Sequence, residues 1–527
     1  MSLVSSPVPG RPGRLAPACL WIPFLLLLVG CAYEIVTIRG TTQGHFVYSL
    51  DDAYIHLALA ERIAQGHYGI NLDEVSAPAS SIVWPFLLAP FAGASYFEYL
   101  PLVFNLFAAA GTVFFCLGIL RYTFAELPDP LRSVATVFLA VVLIPATNVI
   151  GLAFTGMEHS LQACLCAGIV LGVVRVTRGE PTPAWLVVLL AAAPAVRYEC
   201  LAVSFPAIVV LLACRRLRAA SIALVALAVP ILAFSLYLKS HGLDWLPTSV
   251  VAKAPLGGAL SLRVAAAQLH YNLGLRQGQV LAALMLVLVL LALLRHAAPL
   301  VERLLAALGA AAILAHLVAA HIGWWDRYEI YMLLTAVLLV LYEARELLQR
   351  ALRRGVPAVL TLAVVAALAL FAGRPYLTNL SHTPLASANI YEQQYQMHRF
   401  AVDFYRGPVA VHDLGFVSFR NPSYVLDLWG LASPEALANR FAGRDSSWMD
   451  ELVRRHGAGL VMIYDDGTAP RSWVRLARLH LGSEWTVTGN DVVTFFASNP
   501  AEAGALAALL AKFAPSLPPG VRLELSP

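Results

Sequence analysis

Asp51 and Asp52 are the side chains in this sequence best placed to do chemistry. They lie in Asp51-Asp52-Ala53-Tyr54-Ile55-His56, at the start of a helix-compatible stretch that runs to Gln65 and closes at Gly66. Carboxylates in the first turn of a helix gain from its dipole and its free amides, so capping alone accounts for the pair. Beside a membrane surface the same two groups have further uses. One can act as a general base, while the other binds an acceptor hydroxyl or a divalent cation such as Mg, Mn or Ca, with Asp52 as the metal ligand. Glu158, Arg197, Glu199, Lys253, Asp326 and Arg327 recur at the edges of long apolar runs. Charge near a bilayer is costly unless paired or hydrated, so a ring of such residues marks a polar cavity. The blander reading makes Arg197–Glu199 and Asp326–Arg327 local ion pairs or headgroup anchors. His56, Trp84 and Trp325 read more readily as interface or packing residues than as catalysts.

The elements that hold these residues are set by hydrophobicity. The chain has 527 residues, 59% of them hydrophobic and only 13% charged. A soluble domain carries roughly twice that share of charge. Apolar runs between residues 19 and 374 predict an α-helical polytopic membrane protein of about eleven spans. The expected spans are 18–37, 98–120, 132–152, 158–175, 184–197, 200–214, 219–238, 279–294, 300–320, 328–343 and 356–373. Each even-numbered span ends on arginine: Arg121; Arg175 and Arg178; Arg215, Arg216 and Arg218; Arg295; then Arg345, Arg350, Arg353 and Arg354. The positive-inside rule puts those ends in the cytoplasm, with the N-terminus inside and residues 375–527 outside. Leu28–Cys31 has the shape of a lipoprotein cleavage box, but signal segments and first spans share composition, and ten more runs follow. Residues 82–93 are apolar but too short to span, and fit a helix lying in the outer interface.

Three regions follow: a disordered cytoplasmic tail over 1–17, a membrane domain over 18–374 whose first outer loop is 38–97, and an outer domain over 375–527. In the last, 387–406 and Ser447–His456 read as helices, and Val409–Asp413, Tyr424–Leu428, Leu460–Tyr464 and Val492–Ala497 as strands. The alternation predicts a small α/β domain. The Ala/Pro-rich stretch 500–527 is expected to pack weakly. The net charge of +4 is modest and the arginines sit in short clusters between the runs, which suits membrane orientation better than nucleic-acid binding.

These motifs resemble the GT-C superfamily of polyprenyl-phosphate-sugar-dependent glycosyltransferases, and within it the "DDAYI" group that includes the mycobacterial terminal arabinofuranosyltransferases. Asp51–Ile55 follows the first span as that motif does. Thr155-Gly156-Met157-Glu158 stands where the group has Gly-Leu-Glu, and Arg197-Tyr198-Glu199 where it has Arg-Pro-Glu. Thr248–Lys253 resembles its Thr-x-Tyr-Ala-Lys segment, Gly323–Tyr328 its Gly-Asp…Arg-Phe segment, and Asp427–Leu431 its Asp-x-x-Gly-Leu. Tyr198 replaces a proline, His56 a serine, and Ala79-Ser80-Ser81 stands where Tyr-Thr-Asn is usual.

The resemblance implies a GT-C fold on the bacterial inner membrane with a periplasmic or extracellular active site. It also implies transfer of a sugar, arabinofuranose or another pentose or hexose, from a polyprenyl-phosphate donor to a glycan or protein acceptor. Asp51 would be the base and Asp52 would orient the acceptor or hold a cation. Arg197, Lys253 and Arg327 would bind the donor phosphate, and Tyr54, His56, Glu158, Glu199 and Asp326 would line the substrate site. A flippase for a lipid-linked sugar would use the same cavity without chemistry, and a catalytically dead sugar-binding scaffold is a third reading. Transporters commonly carry repeats and broken helices at mid-membrane, whereas the charges here cluster at one set of span ends. The topology is testable directly. Alkaline phosphatase fused after residue 380 is expected to be active and after residue 350 inactive, and the reverse pattern would overturn the span assignment.

Overall fold

The structure, a computed structural model, describes residues 17–253, 261–353 and 356–526. All but Pro17 of the expected tail, together with Arg354, lies outside them. In an apolar run, backbone groups must satisfy one another, and a helix does this within one segment. A helix covers most of every expected span. These are α1 (Pro17–Thr41), α4 (Leu100–Thr123), α5 (Leu131–Ala146), α7 (His159–Thr177), α8 (Ala184–Val196), α9 (Leu201–Ala213), α10 (Leu217–Ser240), α13 (Arg276–Leu294), α14 (Leu300–Ala319), α15 (Ile330–Glu343) and α17 (Val356–Ala372). Between them lie α2 (Asp52–Ala64), α3 (Val83–Leu88), α6 (Val149–Ala153), α11 (Thr248–Lys253), α12 (Leu262–Gly274) and α16 (Arg345–Leu352). By length and composition six helices of the described residues suffice to cross a bilayer, and a seventh does so if the bent pair 358–372 and 374–405 counts as one. The chain is a multi-pass membrane protein.

After α17 the chain turns by 61° into α18 (Arg374–Glu392), which packs back along α1 and α5. Tyr391 donates from its hydroxyl to Gln43 Oε1 at 3.0 Å, just beyond the end of α1. Then come α19 (Gln394–Arg399), α20 (Gly415–Ser418), α21 (Pro434–Phe441), α22 (Ser447–Arg455) and α23 (Ala503–Phe513), set around a six-stranded sheet. Its strands are β1 (Val409–Val411), β2 (Val425–Asp427), β3 (Leu460–Ile463), β4 (Val474–His480), β5 (Val492–Ala497) and β6 (Arg522–Leu525), in the order β2-β1-β3-β5-β4-β6. β1 runs parallel to both β2 and β3, and the other pairings are antiparallel. The chain leaves β1 to one side for β2 and crosses to its other side for β3. The carboxyl ends of these strands therefore meet at a reversal of strand order, the place where open α/β sheets form a ligand-binding crevice.

One expectation fails here. Residues 500–527 do not pack weakly: α23 buries Leu506, Leu510 and Phe513 against the sheet, and β6 adds a strand beside β4. The Ala/Pro-rich composition hides an apolar stripe at i, i+4 and i+7. β4 is masked in the sequence too, because a bulge between Arg475 and Ala477 breaks its alternation. Leu510→Ala is therefore expected to destabilise the C-terminal domain by about 2–5 kcal/mol. Scanning calorimetry of the purified chain checks this, since a weakly packed tail would leave the transition within about 0.5 kcal/mol of the parent.

Candidate functional site

Asp51 does not cap its own helix. It precedes α2 with φ −63° and ψ −34° and makes no side-chain cap bond. Its carboxylate reaches across to the C-terminal domain instead. Oδ2 accepts from Gly415 N and Oδ1 from Phe416 N, each at 2.8 Å. A side chain at position 415 would come within 2.5 Å of Asp51 Oδ2, so only glycine permits the approach. Two residues earlier stands Asp413, at the carboxyl end of β1. Its Oδ2 accepts from Gln394 Nε2 at 2.7 Å and from the Tyr464 hydroxyl. Burial, then the charge of Asp413, pushes the Asp51 carboxyl well above the usual carboxylate range, against the pull of the two amides. Burial raises Asp413 as well.

Asp52 faces the other way and receives Nη2 of Arg327. Burial alone would raise its carboxyl, but Arg327 and Lys253 outweigh that and hold it below the ordinary range. The Arg327 side chain is fully buried, and its Nε and Nη1 have no hydrogen-bond partner among the described residues. Trp324, Trp325 and Asp326 deliver it from three consecutive left-handed residues at φ 47°, 63° and 49°. Non-glycine residues in that region cost about 1–3 kcal/mol each and persist where the surroundings enforce them. The turn also sends adjacent side chains apart. Asp326 accepts from Gln277 and Asn379 at 2.6 and 2.9 Å rather than from Arg327. The local Asp326–Arg327 pair is thereby corrected: Arg327 pairs with Asp52 instead.

The three expected phosphate ligands converge on Tyr328. Arg327, Arg197 and Lys253 lie 5.0, 5.5 and 5.7 Å from the centre of its ring. They are not equivalent. Arg197 is held between Glu158 at 2.7 Å and Glu199 at 2.8 Å, as the local ion-pair reading has it, with a second carboxylate added. Lys253 touches only the Ser80 hydroxyl at 3.4 Å among its described hydrogen-bond partners. Glu158 also faces His56 Nε2 at 3.5 Å, so Glu158, Glu199 and His56 form the polar layer behind Arg197. His159, whose ring lies 5.9 Å from Tyr328, is buried with both nitrogens unpartnered. Tyr54 is fully buried, stacks on Phe416 at 3.7 Å and accepts from Tyr48 N, so it packs the two domains together.

Sequence reasoning missed His159, Tyr328 and Asp413. The first two adjoin residues it named, whereas nothing in the sequence singles out Asp413. The residues present do not gather as a cation site. Asp52 is taken by a guanidinium and Asp51 by two amides, and among the described residues no group of three or more His, Cys, Asp or Glu converges. What the arrangement offers is a carboxylate of raised proton affinity beside a cationic pocket with spare donors.

Residues 388–496 match a family model described as "Domain of unknown function (DUF8728)". The chain has no match among curated protein sequences. Among solved structures it resembles ArnT from Cupriavidus metallidurans bound to undecaprenyl phosphate, with a TM-score of 0.50 and 10% identity over 90% of this chain and 98% of that one. It also resembles the apo oligosaccharyltransferase of Archaeoglobus fulgidus, with a TM-score of 0.47 and 10% identity over 89% and 74% of the two chains. The likeness to ArnT is one of fold.

The clamp at Asp51 has a measurable consequence. Asp51→Ala leaves two buried amides without acceptors, at about 1–3 kcal/mol each. Limited proteolysis is expected to release the C-terminal domain faster from this variant, and more slowly from Asp51→Asn, which keeps one acceptor oxygen. Equal cleavage of both variants and the parent would return Asp51 to a simple capping role.

Proposed function

We propose that this chain is a glycosyltransferase of the inner membrane. It would move a sugar from a polyprenyl-phosphate donor to a glycan or protein acceptor on the outer face, with inversion at the anomeric carbon. The observation that carries the reading is Arg327: a buried guanidinium with two unpartnered nitrogens, beside Lys253 and next to paired carboxylates. A phosphate ester that leaves with an extra negative charge needs such donors in place before the reaction. The likeness to ArnT supports the fold, and the undecaprenyl phosphate in that structure belongs to the class of carrier proposed for this site. Arabinofuranose is the sugar to which the DDAYI resemblance points.

In the step as written, Asp51 takes the acceptor's hydroxyl proton. Its oxygens retain lone pairs beyond those given to the two amides, and its raised proton affinity suits a base working near neutral pH. The acceptor oxygen attacks the anomeric carbon, the bond from that carbon to the phosphate oxygen breaks, and the electron pair leaves with the lipid phosphate. Arg327 and Lys253 meet that charge. Asp52, bound to Arg327 and of low proton affinity, orients the guanidinium rather than taking a proton. Arg197, already between two carboxylates, sets the wall of the pocket.

The test is sugar transfer by the purified chain in lipid nanodiscs, supplied with radiolabelled polyprenyl-phosphate sugars. Asp51→Asn is expected to lower turnover about 10²–10⁴-fold. Arg327→Lys and Lys253→Ala are expected to raise the apparent donor KM about ten- to a hundred-fold, the loss of one charge-assisted contact. Retained transfer in both Asp51→Asn and Asp52→Asn would overturn the mechanism and favour passage of a lipid-linked sugar through the same cavity.

A further inference from the structure

The crevice at the carboxyl ends of β1, β2 and β3 is a second place where side chains of distinct chemistry meet. Trp429 stands at its rim with 47% of its surface exposed. An exposed indole on a loop is unremarked when mobile, but this one is held by a buried carboxylate. Asp427 accepts from Trp429 N, Gly430 N and Ala432 N at 2.8, 3.0 and 2.7 Å. Gly430, at φ 95°, has no room for a side chain, since a Cβ would lie 2.6 Å from Leu437 N. Arg440 lies against the indole at 4.0 Å and donates to the Trp429 carbonyl. The loop is thus built to present this ring in one orientation, which lowers the ordering cost of binding.

Behind Trp429 the crevice is polar. The ring of His412 lies 6.2 Å from Trp429 and 6.1 Å from Tyr464. Its nitrogens make no hydrogen bond among the described residues. Burial pushes its imidazole down to about 4, so at neutral pH it offers one donor and one acceptor. Asp466, three residues past the end of β3, acts on His412 electrostatically. Tyr464 then bonds Asp413, and Asp413 lies two residues from the amides held by Asp51. A line of side chains therefore runs from the exposed ring to Asp413, whose charge acts on the proposed base. Tyr424, the other aromatic that might have served, is spent: its hydroxyl donates to Glu74 at 2.8 Å and its ring stacks on His456 at 4.8 Å.

We propose that Trp429, Arg440, His412 and Asp466 form a subsite for the acceptor, and that the acceptor is a glycan. A sugar ring has an apolar face of C–H groups and a rim of hydroxyls. A fixed indole covers the first, while a guanidinium, a neutral imidazole and a carboxylate at its edge bond the second. The chain of contacts to Asp51 makes this the binding end of the site whose reacting end is Asp51, so the inference rests on the glycosyltransferase reading.

The experiment uses the full chain in nanodiscs and short oligosaccharides of arabinofuranose, mannose and glucose as probes. Isothermal titration is expected to show binding of at least one probe, weakened about ten-fold or more by Trp429→Ala and partly restored in Trp429→Phe. In the transfer assay Trp429→Ala is expected to raise the acceptor KM and leave the donor KM alone. No binding of any probe, or equal binding by Trp429→Ala, would overturn the subsite. Quenching by brominated phospholipid of the emission that Trp429→Phe removes would also overturn it, because the ring would then be a membrane anchor. Binding that depends on Trp429 in a chain that transfers no sugar would uphold the subsite and overturn the enzyme.

Discussion

A buried guanidinium must be met by a carboxylate, because an unpaired charge taken out of water costs several kcal/mol. In this protein Asp52 meets Arg327, and that one pair constrains much of what surrounds it. It requires the loop before α15 to run through three left-handed residues so that Arg327 points back to α2. It leaves Asp52 committed, so its neighbour Asp51 is the carboxylate able to turn towards the C-terminal domain. Arg327 is still only partly satisfied, with two nitrogens over. A structural ion pair would be expected to use up its donors, as Arg197 does between Glu158 and Glu199. The contrast between these two arginines, both near Tyr328, is what separates a wall of the pocket from a ligand of it.

Much of this was legible in the sequence, for physical reasons that differ by element. The membrane helices were found because bilayer thickness dictates run length and arginine marks the ends. The Asp51-Asp52 pair was found because its adjacency at a helix start after the first span is local information. The neighbouring carboxylate that raises the proton affinity of Asp51 was not. Asp413 follows a three-residue strand in a separate domain, and only the packing of α20 on α2 brings it to the site. Capping was a fair reading of Asp51 from spacing alone. It failed because the amides that the carboxylate satisfies belong to α20 and not to α2.

Asp326 and Tyr54 show a second kind of blindness. Both belong to motifs shared with a known group, and both were placed at the site by that membership. A left-handed turn carries Asp326 away to Gln277 and Asn379, and the stacking of Tyr54 on Phe416 makes it a packing residue. Motif residues can therefore be required for how they seat their neighbours. Here Asp326 anchors the turn that aims Arg327, and Tyr54 anchors the seam that Asp51 crosses. The same logic holds in the C-terminal domain, where Asp427 lies buried and spends its oxygens on three amides so that Trp429 can stand exposed.

The site is consequently a product of docking as well as of folding. Asp51 lies on the membrane side of the seam and Asp413 on the other, and the proton affinity of Asp51 rises through burial and through that neighbour. With the C-terminal domain undocked, Asp51 would lose both its amide partners and the cover that desolvates it, and would revert towards an ordinary surface carboxylate of low proton affinity. The cationic pocket around Tyr328 is built from the membrane body alone, so it would survive such a change. The cationic residues around Tyr328 and the burial that raises the proton affinity of Asp51 thus belong to different parts of the fold. The seam between them is crossed at Asp51 by two hydrogen bonds, to Gly415 and Phe416, and at Tyr54 by a ring stacked on Phe416.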